Sequence, residues 1–236
     1  MSSMSPAKDT PNPNLEALKE QRLKEILDPT KAGLIVIDLQ NDFLAPDGKS
    51  DALWHQNVEP MRAVLPAIER MAGLFHSIGR PVIRTKTYED PELRTEAGRD
   101  RFLWFEDNDR EGSVACIKGT SGAEFFVAPA ADDIILEKDR VSAYVNTSLN
   151  DIIRNEGIGT LFITGLKTQR CVARTLQDLY DNEPNLHVVV LEDCVASDDE
   201  TLHQATMAEI KKFYPPVLTS EDLARAWSVS NAPINP

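Results

Sequence analysis

The chain has 236 residues, 42% of them hydrophobic and 27% charged, with 25 Lys and Arg against 38 Asp and Glu for a formal charge of -13. That length suits one domain with a sizeable core, and no apolar run approaches the roughly 20 residues of a membrane span. The acidic balance argues against nucleic acid and anionic lipid as partners, because both are held by clustered Lys and Arg.

The opening residues, MSSMSPAKDTPNPN, contain neither the apolar segment nor the cleavage site of a secretory signal. Residues 1–30 read as a polar arm and a leading helix from Asn14 to Leu27, where Leu15, Leu18, Leu23, Ile26 and Leu27 recur at roughly helical spacing before Asp28-Pro29. Gly33 to Asp38 is a short continuous apolar run, the mark of a strand covered on both faces, with Asp38 at its carboxyl end. Val58 to Ile78 has helical periodicity closed by Gly79, and Pro66 within it predicts a kink. Pro81 to Thr85 is the second strand. Asp90 to Thr120 is then a long charged stretch holding Phe102, Trp104 and Phe105, of a length that serves a function or a partner more often than not.

Further strands are expected at Asp133 to Glu137, Thr160 to Thr164, Leu186 to Glu192 and Pro216 to Leu218. Helices alternate with them: around Leu149 to Ile153, from about Cys171 to Tyr180, and from about Asp199 to Lys212. Such alternation implies crossover connections. The expected fold class is therefore α/β: a single three-layer α/β/α domain over residues 31–228, with a mainly parallel central sheet of about six strands and a tail at 229–236. Three widely spaced cysteines, Cys116, Cys171 and Cys194, form no CxxC pair and suit a reducing cytoplasm.

In an open parallel sheet, chemistry gathers where loops leave the carboxyl ends of the strands. Asp38 closes the first strand, Lys138 follows the third, and Cys171 follows the fourth through Gly165-Leu-Lys-Thr-Gln-Arg170. A thiol in the first turn of a helix feels the positive end of the dipole, which favours the thiolate, and a lysine beside it lowers the thiol pKa further. A strand-end carboxylate is a candidate base for that thiol. Cys116 and Cys194 lack the turn-to-helix setting and read as packing residues.

Three segments carry a resemblance to the isochorismatase-like cysteine hydrolases: Leu34-Ile-Val-Ile-Asp-Leu-Gln-Asn-Asp-Phe43, Glu137-Lys-Asp-Arg-Val-Ser-Ala-Tyr-Val-Asn-Thr-Ser-Leu149, and Thr164-Gly-Leu-Lys-Thr-Gln-Arg-Cys-Val-Ala-Arg-Thr175, the last followed by Leu191-Glu-Asp-Cys-Val-Ala-Ser197. The resemblance runs from about Gly33 to Leu223 and implies an Asp-Lys-Cys triad at Asp38, Lys138 and Cys171. It also implies a cis peptide between Leu166 and Lys167, an oxyanion hole of the Lys167 and Cys171 backbone N–H groups, and a homodimer or homotetramer.

Within that family the nicotinamidases hold a metal through an Asp-x-His pair after the second strand. This chain has Thr87-Tyr-Glu-Asp90 there, and its His55, His76, His187 and His203 are scattered, so neither metal nor cofactor is expected. The retained cysteine favours a small amide, ureido or carbamoyl substrate. A vinyl ether hydrolase of the isochorismatase type and a catalytically silent binding module remain the alternatives. Arg170 stands where the family often has smaller or apolar residues; its planar fork suits a carboxylate or a row of carbonyl oxygens, and an outward arginine paired with a nearby acid is the equal alternative. Tyr144 stands where Phe is usual and is expected to line the pocket. Gln40, Thr168 and Trp104 complete the expected substrate-binding set.

Overall fold

The computed structural model describes residues 13–90, 95–96 and 114–230. The leading helix is Pro13–Ile26 (α1), and the first strand is Ala32–Ile37 (β1). Short helices at Asn41–Leu44 (α2) and Glu59–Ala63 (α3) precede Leu65–Ser77 (α4) and the strand Val82–Thr87 (β2). After them come Ile134–Lys138 (β3), Leu149–Asn155 (α5), Thr160–Leu166 (β4) and Ala173–Asn182 (α6). The chain then runs through His187–Ala196 (β5), Glu200–Phe213 (α7), Val217–Leu218 (β6) and Ser220–Ser230 (α8).

All strand pairs are parallel, in the order β3-β2-β1-β4-β5-β6. Chain progression therefore reverses direction between β1 and β4, and at such a switch point the two crossovers turn away from each other to leave a crevice at the carboxyl ends of the strands. Both faces of the sheet are apolar because successive strand residues alternate sides. On one face Leu34, Val36, Phe162, Val189 and Leu191 pack with Ile68, Met71 and Phe75 of α4 and with Leu223 and Trp227 of α8. On the other, Ile35, Ile37, Leu161, Ile163 and Val190 pack with Ile153 of α5, Leu176 and Leu179 of α6, and Met207 and Ile210 of α7. The expected three-layer α/β/α fold is the one observed.

Several details differ from the sequence reading. The helix expected from Val58 to Ile78 is two helices, broken at Val64, because Pro66 cannot donate into a preceding turn and is accommodated only at the start of α4. The fifth strand continues to Ala196, past the charged pair Glu192-Asp193 that looked like its end. The leading helix forms, yet Leu15, Leu18 and Leu23 are exposed and only Ile26 enters the core. A final helix, α8, was not expected at all. Most of the stretch from Asp90 to Thr120, with Phe102, Trp104 and Phe105, lies outside the described residues.

Candidate active site

Asp38 follows β1 directly with φ at 55°, a left-handed conformation that aspartate tolerates better than most residues. Thr85 of β2 holds it there: the Thr85 hydroxyl accepts from the Asp38 N–H at 3.1 Å and donates to Asp38 Oδ1 at 2.6 Å. The other carboxylate oxygen, Oδ2, is buried without a well-aligned hydrogen bond, and Lys138 Nζ lies 2.9 Å from it. Lys138 is the last residue of β3, not the residue after it, and its side chain is fully buried. Its ammonium also reaches the carbonyls of Arg140 at 3.1 Å and Val141 at 3.2 Å, and Cys171 Sγ at 3.5 Å. Burial works against that charge, but Asp38 and Cys171 more than offset it and raise the lysine pKa.

Gly165 makes the approach of the nucleophile turn possible. Its φ is +106°, and a Cβ there would meet the Ile37 carbonyl oxygen at 2.2 Å, so no larger residue fits between β4 and β1. The Leu166–Lys167 peptide is cis. Thr168–Val172 then forms a wide helical turn, closed by Val172 N–H donating to the Lys167 carbonyl at 3.3 Å, and runs into α6. Cys171 sits half-buried in that turn. Burial first, and then the Asp38 charge, push its thiol up to about 12, while Lys138 opposes them. Helix position and Lys138 favour the thiolate, while burial and the Asp38 charge oppose it.

The structure brings Asp38, Lys138 and Cys171 to one rim and sorts the remaining expected residues. Gln40 is fully buried and its amide is spent: both N–H groups donate at 2.7 Å to the Thr87 and Ala123 carbonyls, and Oε1 accepts from Thr87 N–H at 2.8 Å. It braces the loop around Ala123 against β2. Thr168 is likewise buried, with its hydroxyl 2.9 Å from His203 Nδ1 of α7. Tyr144 is corrected too. The segment from Arg140 runs along α6, with Ala143 N–H donating to Thr175 Oγ1, and the Tyr144 hydroxyl donates at 3.0 Å to Glu183, at the end of α6 opposite Cys171. Arg170 is exposed beside the nucleophile, and Trp104 lies outside the described residues.

Sequence reasoning missed residues whose roles depend on the fold. Thr85 is one. Asp42 is another: its Oδ2 accepts from Cys116 N–H at 2.6 Å, and a Cβ at Gly122 would meet its carboxylate at 2.3–2.4 Å. The Lys167 side chain is a third. Its ammonium lies 3.0 Å from Asp198 Oδ2, 2.9 Å from Gln56 Oε1 and 5.7 Å from the Phe43 ring centre, tying two loops and α2 to the turn. Burial lowers its pKa against the pull of Asp198.

Among the described residues, His76, Asp132 and Asp133 offer donor atoms within 4.8 Å of one another. They lie at the amino end of β3, away from the triad, and Asp133 already receives His76 at 2.7 Å, Arg84 Nε at 2.6 Å and Ala130 N–H at 2.8 Å. That cluster is an ion-pair knot fastening β3 to β2 and α4. None of the described helices is long and apolar enough to cross a membrane.

The sequence matches the isochorismatase domain over residues 32–222. It is 29% identical over 198 residues to the ureidoacrylate amidohydrolase RutB of Methylobacterium radiotolerans, covering 80% of this chain and 76% of that protein. The corresponding enzyme of Acinetobacter baylyi is also 29% identical, over 80% of each chain. Among solved structures, the N-carbamoylsarcosine amidase of Thermoplasma acidophilum superposes with a TM-score of 0.62 at 25% identity, covering 81% of this chain and 97% of that one. A cysteine hydrolase of Pseudomonas syringae pv. phaseolicola gives a TM-score of 0.70 at 22% identity, covering 85% and 94%.

Proposed function

Because the chain belongs to the isochorismatase family of hydrolases, we propose that it is a cysteine amidohydrolase that cleaves a C–N bond of a small ureido, carbamoyl or carboxamide compound through a thioester. The observation that carries this reading is the position of one buried ammonium, 2.9 Å from the Asp38 carboxylate and 3.5 Å from the Cys171 sulfur. The names of the relatives, ureidoacrylate amidohydrolase and N-carbamoylsarcosine amidase, favour a substrate of this class.

The upward shift of the thiol suits an order of events in which the sulfur gives up its proton as it attacks. As Cys171 Sγ attacks the substrate carbonyl carbon, its proton passes to Asp38, whose Oδ2 has an acceptor site open. Lys138 compensates the negative charge throughout, held in place by the carbonyls of Arg140 and Val141. The oxygen of the tetrahedral intermediate is received by the backbone N–H groups of Lys167 and Cys171; losing one such donor costs about 2.7–4 kcal/mol of barrier. Collapse breaks the C–N bond, and the proton held by Asp38 leaves with the departing ammonia or amine. Water then attacks the thioester with Asp38 again taking the proton, which returns to sulfur as the acid is released.

The test is ammonia or amine release from a panel of ureides, carbamoyl compounds and carboxamides, and consumption of isochorismate in parallel, with native protein and Cys171→Ala. At least one C–N substrate should turn over, with the variant falling by about a thousandfold or more in kcat. Turnover of isochorismate alone, or full activity without the sulfur, would refute the reading.

A further inference from the structure

The turn before Cys171 carries a second ammonium, which the proposed reaction does not use. It belongs to Lys167, which follows β4 directly and whose backbone N–H is one of the two donors assigned to the tetrahedral intermediate. Backbone bonds hold this residue from two sides. Leu166 before it pairs with Ala196 of β5, and the Lys167 carbonyl accepts from Arg170 N–H at 3.0 Å and Val172 N–H at 3.3 Å. The side chain supplies a third hold, on Asp198 just past β5 and on Gln56 in the loop before α3. Asp198 is fixed in turn: its Oδ1 accepts from the Ser197 hydroxyl at 3.1 Å, and that hydroxyl oxygen accepts from Asp199 N–H at 3.1 Å.

Stability alone does not account for this arrangement. The Lys167 and Asp198 side chains are each 11% exposed. Taking two charges out of water offsets much of their attraction, so apolar residues of similar volume often serve a fold as well or better. What an ion pair has and an apolar contact lacks is direction, since the ammonium fits only where its acceptors stand. An oxyanion donor needs that direction, because it must lie about 2.7–3.1 Å from an oxygen whose charge develops only during the reaction.

We infer that Lys167 acts through its side chain as a positioning residue: clamped between Asp198 and Gln56, it aims the backbone N–H of its own residue at the developing oxyanion. The inference rests on the reading of Cys171 as the nucleophile of an acyl transfer.

Two reagents with different needs test it without the natural substrate. p-Nitrophenyl acetate acylates sulfur through a tetrahedral oxyanion: the S–C bond forms, the ester C–O bond breaks, p-nitrophenolate departs and the thiol proton goes to Asp38. Allyl bromide alkylates by direct displacement: the S–C bond forms, the C–Br bond breaks, bromide departs and the thiol proton goes to the same base, with no oxyanion. The readout is the ratio of acylation to alkylation rate at Cys171, with the site confirmed by mass spectrometry. The fraction of ionised thiol enters both rates and cancels. The ratio should fall about tenfold or more in Lys167→Met and in Asp198→Ala. It should recover in Asp198→Asn, which keeps an acceptor for the ammonium, and stay native in Lys211→Met, where an exposed lysine of α7 loses its pairing with Glu192. The double variant Lys167→Met with Asp198→Leu removes both charges together and should show the same fall at an unchanged urea midpoint. An unchanged ratio in Lys167→Met and the double variant overturns the inference and leaves the nucleophile standing. So does an equal fall in Lys211→Met, or a fall in the double variant that comes only with a lower midpoint. A native Cys171 that allyl bromide alkylates and p-nitrophenyl acetate cannot acylate removes the acyl-transfer reading and the inference together.

Discussion

At the residue scale the site is a set of buried polar groups, each held by a named partner. Thr85 has the tightest claim, because its single hydroxyl serves both the backbone and the side chain of Asp38. Thr85→Val keeps the shape and strips both bonds, leaving two buried groups unsatisfied at about 1–3 kcal/mol each. A lower urea midpoint and a kcat/KM reduced by about 10–100-fold are expected, while Thr85→Ser should retain most of both. A valine variant with native kinetics would mean that the carboxylate needs no such holder. Asp38, Lys138 and Cys171 were legible in the sequence because each ends or follows a strand, and a parallel sheet sends all such ends to one side. Thr85 was not, since nothing local distinguishes it from any other strand threonine. Tyr144 misled for the converse reason: a position carried over from a resemblance says nothing about which way this ring points.

At the scale of elements, β1 and β4 have to approach closely enough for the turn before Cys171 to meet Asp38. Gly165 permits this, and β4 shifts register against β5 at the same place, between Ile163 and Gly165. Gly165→Ala combines a left-handed φ with contact against Ile37 backbone and is expected to cost at least about 1–3 kcal/mol and to lower activity. Gly73 provides the opposite sign. It lies inside α4 with open space where a Cβ would stand, so Gly73→Ala should stabilise by about 0.5–1 kcal/mol. Melting of the two variants side by side checks both expectations, and equal shifts in one direction would contradict them. The apolar runs made the strands readable, whereas α8 escaped because its core contribution rests mainly on Leu223 and Trp227. Its start did carry a signal: Thr219 and Asp222 exchange backbone and side-chain hydrogen bonds in a capping box.

At the scale of the whole molecule, three thiols respond to pH together. Burial pushes Cys171 and Cys194 up to about 12 from an ordinary value of 9.0, and Cys116 is raised as well, also mainly by burial. In the unfolded chain these thiols ionise near pH 9, while in the folded protein they keep their protons. Above pH 9 the unfolded state therefore binds fewer protons, and stability falls as pH rises. The contribution is whole below about pH 9 and is lost progressively towards about 12, at up to ~1.4 kcal/mol per pH unit for a fully shielded thiol. Urea midpoints measured under reducing conditions should decline across this window, less steeply in Cys194→Ala than in the native chain. A profile level to pH 11 would show that these sulfurs are open to water.

One contact spans most of the chain. The Trp227 indole donates at 2.8 Å to the Leu27 carbonyl, and its ring packs against Phe75 and Phe162. Leu27 lies just ahead of the amino end of β1, while Asp38 follows the carboxyl end, about 20 Å away for a six-residue strand. The polypeptide between these two residues thus begins and finishes at a single corner, remote from the chemistry. Strain placed on that corner would reach the crevice only through the length of β1.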